Sequence, residues 1–315
     1  MPKVLVTTPT FAKYDSTAVE YLTGHGFEVA RLSAYPANPT EIGVRLADCD
    51  AAIVGLEKFD ANVLAGAPRL RIISKHGIGV DNIDLAAAKR AGIMVANAPY
   101  ESARTVAELA LLLLLASARR LLVADEAVRT GKWGPLFGTE VKGKTLGLVG
   151  IGSIGVILGE IAAALGMRVI GYDVAYSGSE SIKGVTLVGF DECLEQSDFL
   201  SLHVPLTDKT RGLIDEATLR RMKKTAVLIN TSRGEVVDEQ ALYKALKEGW
   251  ISGAGLDVFQ SEPVKPDNPL TGLENVVLTP HMGGYSYEAI SRTSLVAAQN
   301  VVAAIETGNP LYPVY

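Results

Sequence analysis

Cysteine is scarce: Cys49 and Cys193 are the only two in 315 residues. Two isolated thiols make neither a disulfide framework nor a zinc site, so both read as small interior side chains and no metal is expected. Aromatic residues are 6% of the chain, and there is no basic excess, since the formal net charge is −5. That balance argues against nucleic acid as a partner, though a few placed cations would still serve a small anion. Long apolar runs are missing too. The richest, Leu109 to Ala116, is bounded by Glu108 and by Arg119-Arg120, and it falls well short of the ~20 residues of a membrane span. Pro2-Lys3 leads straight into Val4-Leu5-Val6, which is too short for a secretory signal. The expectation is a soluble, cytoplasmic protein.

What is present is apolar content, 48% of residues, enough for about two domains at roughly 100–200 residues each. Short apolar runs at Lys3–Thr8, Phe27–Leu32, Ala51–Leu56, Leu70–Ser74 and Ile93–Ala96 alternate with helical stretches. One of these helices runs from Asp15 or Ser16, one from Thr40 to Asp48, and one over Leu85–Arg90. A long helical segment covers about Ser102–Thr130. The alternation then restarts, with strands at Thr145–Val149, Arg168–Tyr172, Thr186–Val188, Phe199–Val204, Ala226–Asn230, Ala254–Val258 and Val276–Leu278. Helices Ile154–Leu165, Glu216–Met222 and Glu239–Glu248 separate them, and a final helix spans about Tyr287–Glu306. Continuous apolar strands separated by helices indicate parallel sheets covered on both faces. The fold class predicted is α/β, with two doubly wound parallel-sheet domains. The last helix can return to the first block and make that domain discontinuous.

The sharpest motif is Gly150-Ile151-Gly152-Ser153-Ile154-Gly155, which follows a strand and opens a helix. In G-x-G-x-x-G the first glycine permits the tight turn, the second lets a pyrophosphate approach the backbone, and the third lets helix and strand pack closely. The helix N-terminus then offers free N–H groups to phosphate. Asp173 ends the next strand, 23 positions after Gly150, near the spacing of about 20 for the acid that binds the adenosine ribose. A carboxylate there repels a 2′-phosphate, and Val174-Ala175-Tyr176 brings no cation. NAD is therefore expected in preference to NADP.

Three further residues each follow a strand of the second block: Arg233 in Asn230-Thr231-Ser232-Arg233-Gly234, Glu262 before Pro263, and His281 after Pro280. Converged, they would suit oxidation of a 2-hydroxy acid. Histidine titrates near working pH, a carboxylate beside it favours the charged ring and fixes its tautomer, and arginine grips a carboxylate with two prongs. By spacing alone, a surface arginine, a loop acid and a strand-end histidine remain open readings.

Read in order, the motifs go further. They are Lys75-His76-Gly77-Ile78-Gly79-Val80-Asp81-Asn82-Ile83-Asp84, Asn97-Ala98-Pro99, Arg104-Thr105-Val106-Ala107-Glu108, the glycine loop, Asn230–Gly234, Gly255-Leu256-Asp257-Val258-Phe259 with Glu262-Pro263, and Pro280-His281. Over nearly its whole length the chain resembles the D-isomer-specific 2-hydroxyacid dehydrogenase family, and within it the D-3-phosphoglycerate dehydrogenases. The resemblance implies a Rossmann NAD-binding domain, residues 100–284, inserted in a flavodoxin-like substrate domain, residues 1–99 plus 285–315. It implies Arg233, Glu262 and His281 as the catalytic set. Gly77, Ile78 and Gly79 would hold the substrate carboxylate through backbone N–H groups, together with Arg233 and His281.

For the cofactor the resemblance implies Gly150, Gly152, Ser153, Ile154, Gly155, Asp173, His203, Pro205, Thr210, Thr231, Gly283, Gly284 and Thr105, with Asp257 on the nicotinamide carboxamide. Lys75 is expected to meet a second anionic group on the substrate, with Arg104 as a further candidate. The expected reaction is hydride transfer between nicotinamide and C2 of a small anionic D-2-hydroxy or 2-oxo acid. 3-Phosphoglycerate and serine biosynthesis stand first, and glyoxylate, hydroxypyruvate or sulfopyruvate reduction second. An NAD-sensing, corepressor-like binding protein is the alternative of another class. The chain stops at Tyr315, so the C-terminal regulatory domain of the longer phosphoglycerate dehydrogenases is not expected. A homodimer formed through the NAD-binding domain is expected.

Overall fold

The computed structural model describes residues 1–32, 39–176 and 181–315. The chain divides into two compact units, Met1–Ser102 with Gly284–Tyr315, and Ala103–Gly283. In chain order the elements begin with β1 (Lys3–Val6), α1 (Thr17–Gly24), β2 (Glu28–Arg31), α2 (Pro39–Leu46), β3 (Ala51–Val54), α3 (Ala61–Ala65), β4 (Ile72–Lys75), α4 (Leu85–Arg90) and β5 (Met94–Ala96). The second unit contributes α5 (Ala103–Ala118), α6 (Leu121–Arg129), β6 (Thr145–Val149), α7 (Ser153–Ala164), β7 (Arg168–Tyr172), β8 (Ser181–Ile182) and β9 (Val185–Leu187). It continues through α8 (Phe190–Gln196), β10 (Phe199–Leu202), α9 (Glu216–Arg221), β11 (Val227–Asn230), α10 (Glu239–Glu248), β12 (Gly253–Leu256) and β13 (Val276–Leu278). Helix α11 (Tyr287–Thr307) returns to the first unit.

The first unit is a five-stranded parallel sheet in the order β2-β1-β3-β4-β5, the flavodoxin-like order. Its inner strands β1, β3 and β4 are buried, while the edge strand β2, with Glu28 and Arg31 exposed, is not. Along β1, Leu5 faces the cluster containing Ile42, Leu46 and Val63, while Val4 and Val6 face Leu22, Ala297 and Val301 of α1 and α11. The period of two thus sorts neighbouring residues onto opposite cores.

The second unit is an eight-stranded sheet, β13-β12-β11-β10-β6-β7-β9-β8, parallel except for the β8–β9 pair. Strand order reverses at β6, which lies between β7 and β10. In such sheets the carboxyl ends of the strands at this reversal are where ligands bind. Leu146 and Leu148 pack with α5 and α7, and Leu200, Leu202 and Leu228 pack with the layer of α8 to α10.

The helical segment expected over residues 102–130 is two helices. Arg120 adopts a left-handed φ of 53° between them. The returning chain causes the break: Thr139 N–H donates to the Ala118 carbonyl at 2.7 Å, and a Cβ on Gly138 would lie 2.7 Å from the same oxygen. The helix expected from Thr40 to Asp48 is α2, which the structure places at Pro39–Leu46. Helix α8 was not foreseen, because seven residues carry too few turns to show a period. No helix among the described residues is long and apolar enough to cross a membrane, and no metal-ligating cluster occurs among them. Cys49 and Cys193 are free and buried.

Candidate active site

Three loops leave the carboxyl ends of β11, β12 and β13. In the first, Asn230 is 1% exposed. Its Oδ1 accepts from the Ser232 N–H at 3.0 Å and the Ser232 hydroxyl at 2.8 Å, and its Nδ2 donates to the Arg233 carbonyl at 2.8 Å. A buried amide therefore shapes the turn that carries Arg233. Gly234 brings this loop against the second, since a Cβ there would sit 1.9 Å from the Phe259 carbonyl carbon. No other residue permits that approach.

In the second loop Glu262 accepts the Phe259 N–H at 3.0 Å through Oε1. Its Oε2 lies 2.6 Å from His281 Nδ1 on the third loop. Burial pushes the Glu262 carboxyl up. The hydrogen bond and charge of His281, the Phe259 N–H and the Arg233 guanidinium outweigh it, so the group stays below the usual carboxylate range. The pairing assigns the Nδ1 proton to the side facing Glu262 and leaves Nε2 as the position for proton exchange. The imidazole and the carboxylate keep 25% and 31% of their side-chain surface, so the pair is reachable.

The glycine loop lies at the end of β6. Gly150 has φ 98°, and a Cβ there would meet the His203 carbonyl oxygen at 2.6 Å. On Gly155 it would meet the Gly150 carbonyl at 2.4 Å. On Gly152 it would meet nothing within 4 Å. The first and third glycines are thus required by the protein's own packing, and the second borders open room at the N-terminus of α7. Asp173 accepts the Ile151 N–H at 2.7 Å and the Ala175 N–H at 2.9 Å, which ties it to the same loop.

A family model described as "D-isomer specific 2-hydroxyacid dehydrogenase, NAD binding domain" matches residues 111–283. The chain belongs to the D-isomer specific 2-hydroxyacid dehydrogenase family. It is 49% identical over 276 residues to the glyoxylate reductase of Korarchaeum cryptofilum, covering 85% of this chain and 83% of that protein. It is 40% identical to the D-3-phosphoglycerate dehydrogenase of Archaeoglobus fulgidus, covering 95% of this chain but 56% of that one. A solved acyclic imino acid reductase (Bsp5), in complex with NADPH and D-Arg, superposes with a TM-score of 0.90 at 35% identity and covers all of both chains. As a dehydrogenase of this family, the protein is an NAD-dependent oxidoreductase acting on D-2-hydroxy acids.

The residues fit the dinucleotide of such a dehydrogenase. The room beside Gly152 suits a pyrophosphate, with Ser153 and Ile154 opening α7 below it. Two buried polar atoms at the same edge, His203 Nδ1 and Thr231 Oγ1, have no partner among the described residues. His203 Nε2 meets the Ser201 hydroxyl at 2.9 Å, and burial pushes the ring down to about 4, so it is neutral at physiological pH. Pro205 is exposed, and the Thr210 hydroxyl is spent within its own turn on the Pro205 carbonyl at 2.6 Å. Thr105 lies in the first turn of α5.

Asp257 ends β12 and lies under the loop of His281. It is 1% exposed, and its carboxylate is taken up by the loop of His281. Gly283 closes the second unit, and Gly284 opens the return segment of the first.

In the first unit, Gly77 follows β4 with φ 149°. Its carbonyl accepts the Ala98 N–H at 2.9 Å, and the Ile78 carbonyl accepts Asn97 Nδ2 at 2.8 Å. Both carbonyls are thus held, while no described group accepts from the Ile78 or Gly79 amide. Lys75 must be corrected. It is 3% exposed, and its ammonium donates to the Gly55 carbonyl and, at 2.9 Å, to Asn82 Oδ1. It ties β4 to the neighbouring loops rather than presenting a cation to a ligand. Arg104 is paired with Glu108 at 2.9 Å along α5. Sequence reasoning also missed Asn230. Asn230 was visible only as the residue that ends a strand, and its importance lies in being buried.

Proposed function

We propose that this protein reduces small 2-oxo acids to D-2-hydroxy acids with NADH, and that glyoxylate and hydroxypyruvate are better substrates than phosphohydroxypyruvate. The observation that carries the reading is the His281–Glu262 pair at 2.6 Å beside the Arg233 loop. His281 Nε2 gives a proton to the carbonyl oxygen of the substrate, and Glu262 stabilises the imidazolium that acts as acid. Arg233 binds the substrate carboxylate and polarises the carbonyl. The amides of Gly77, Ile78 and Gly79 are further carboxylate ligands by family likeness. The nicotinamide, when bound, supplies the hydride to C2.

Preference for small substrates rests on two supports. The ammonium of Lys75, the cation on which a phosphorylated substrate was expected, is buried on protein oxygens. The relative at 49% identity is called a glyoxylate reductase. NAD over NADP is supported by Asp173 at the end of β7, whose carboxylate would repel a 2′-phosphate. The first unit would take substrate and the second cofactor. Two buried free thiols suit the reducing cytoplasm. A homodimer through the second unit is supported by its bare apolar surface: Leu112, Leu121, Leu122, Val128, Trp133 and Phe137 are all at least half exposed.

The test is NADH oxidation with glyoxylate, hydroxypyruvate, phosphohydroxypyruvate, sulfopyruvate and pyruvate, compared by kcat/KM. A value for glyoxylate or hydroxypyruvate at least ~10 times that for phosphohydroxypyruvate is expected, about 1.4 kcal/mol of discrimination. The reverse order would restore the phosphoglycerate reading. Tight NADH binding without any turnover would favour the NAD-sensing binding protein.

A further inference from the structure

We infer that the hydrogen bond between Ser294 and His76 positions the turn Gly77–Gly79 for the substrate carboxylate; this rests on the carboxylate role proposed for the amides of that turn. Gly77 has φ 149°, a backbone state that glycine alone holds without strain. Such a turn keeps its shape only when its surroundings hold it. One end is held from the side of β5, where the Gly77 carbonyl accepts the Ala98 N–H at 2.9 Å and the Ile78 carbonyl accepts Asn97 Nδ2 at 2.8 Å. The other end is His76. Its N–H donates to the Val54 carbonyl at 2.9 Å, and its ring Nε2 lies 2.9 Å from Ser294 Oγ on α11.

Ser294 is fully buried and its hydroxyl is saturated. The hydroxyl donates to the Ile290 carbonyl at 2.7 Å and accepts the Ala12 N–H at 3.0 Å, which leaves one lone pair for the ring. Because the hydroxyl proton is committed to Ile290, Nε2 of His76 carries the hydrogen of the shared bond. Nδ1 is left facing the Thr10 hydroxyl at 3.4 Å. Ala12 itself has a left-handed φ of 50°. One hydroxyl thus fixes the loops that leave both β1 and β4 at the carboxyl end of the first sheet. Helix α11 also secures the other end of the turn, since the buried Asn300 donates to the Asn97 carbonyl at 2.9 Å. Apolar side chains would fill the space between α11 and β4 without the desolvation cost of a polar pair. What the pair adds is direction: it fixes where residue 76 leaves the sheet, and so where the amides of Gly77, Ile78 and Gly79 point.

His76→Gln keeps a donor near the place of Nε2. His76→Asn is too short to reach Ser294, and His76→Leu keeps bulk without a donor. The experiment measures kcat and KM for the best-accepted 2-oxo acid, the dissociation constant of oxamate from the NADH complex as an unreacting carboxylate probe, and NADH affinity by nicotinamide fluorescence. It covers wild type, H76Q, H76N, H76L, S294A and H76L/S294A, with thermal midpoints recorded for each. H76L and H76N should raise KM and the oxamate constant about tenfold, the weight of one weakened hydrogen bond to a charged group. Meanwhile kcat should stay within about threefold and NADH affinity within about twofold. H76Q should recover most of the loss. S294A should raise KM at least as much as H76L, and H76L added to it should raise KM no further, because both act through one bond.

A pair with a merely structural role would lower the thermal midpoint of H76L while KM and oxamate affinity stayed within about twofold of wild type, and that result would overturn the inference. So would losses of equal size in kcat and NADH affinity. If H76L proves unstable, H76N and H76Q decide: equal oxamate affinity in those two folded variants counts against the bond to Ser294. Failure of the underlying reading looks different, since Gly77→Ala, which strains the turn directly, would then leave oxamate affinity unchanged.

Discussion

Replacing Glu262 by Gln isolates the charge of the pair while keeping its shape. The carboxylate accepts two hydrogen bonds, from the Phe259 N–H at 3.0 Å and from His281 Nδ1 at 2.6 Å. A glutamine has one acceptor and one donor end. If its oxygen stays on Phe259, its NH2 faces Nδ1, and the charged ring, with a proton on both nitrogens, is opposed by a donor. If the amide flips, the NH2 opposes the Phe259 N–H instead. Either way the charge-assisted bond to the imidazolium is lost or strained, at about 1.5–3 kcal/mol. At about 1.4 kcal/mol per decade, that predicts a fall in kcat for reduction of roughly 10- to 150-fold.

The sign on the acid side follows from the depressed Glu262 carboxyl. The contribution of the pair is complete above the ordinary value of 4.5 and is lost only as pH falls through the lower folded value. Steady-state NADH oxidation from pH 4 to 9 reads the acid limb. An E262Q variant within twofold of wild type, with an unmoved profile, would refute the reasoning.

Two other predictions come from neighbouring parts of the structure. Gly152→Ala should fold with an unchanged thermal midpoint, since its Cβ meets nothing, yet NADH binding should weaken by at least about tenfold; Gly155→Ala, aimed at the Gly150 carbonyl at 2.4 Å, should lose stability as well. Calorimetry with fluorescence titration separates the two effects, and a Gly152→Ala protein that binds NADH normally would remove the pyrophosphate from that room. Burial, aided by the Lys75 charge, pushes His76 down to about 4, as burial alone does His203. Both depressed groups stabilise the fold fully above 6.5, and that contribution drains as pH falls toward 4, by at most about 3 kcal/mol each. Urea unfolding across that range should show the loss, and His203→Gln should flatten it.

Much of this molecule is legible along the chain. Alternating apolar runs and helices predicted α/β sheets, and the sheets are parallel but for one short pair. The flavodoxin-like order of the first unit was implied by the family resemblance, because handed crossovers limit the connections without fixing the strand order. Gly150 and Gly155 were readable because a backbone constraint leaves a residue-type signature. Arg233, Glu262 and His281 were readable as polar residues just past strands, though spacing alone left ordinary alternatives open. The break at Arg120 was not readable, because its cause is Thr139, a residue from a later part of the chain.

Sequence by itself determined residue types that local geometry demands: glycines at tight turns, apolar runs for covered strands, and charged groups at strand ends. Tertiary structure alone decided which of those charges face solvent and which are consumed by the protein. Lys75 and Asp257 both follow the family pattern, and both prove to be buried, one on Gly55 and Asn82, the other inside the loop of His281. The reason is physical: burial and hydrogen-bond partnership depend on segments far apart in sequence, so a one-dimensional pattern names the group without saying what already holds it.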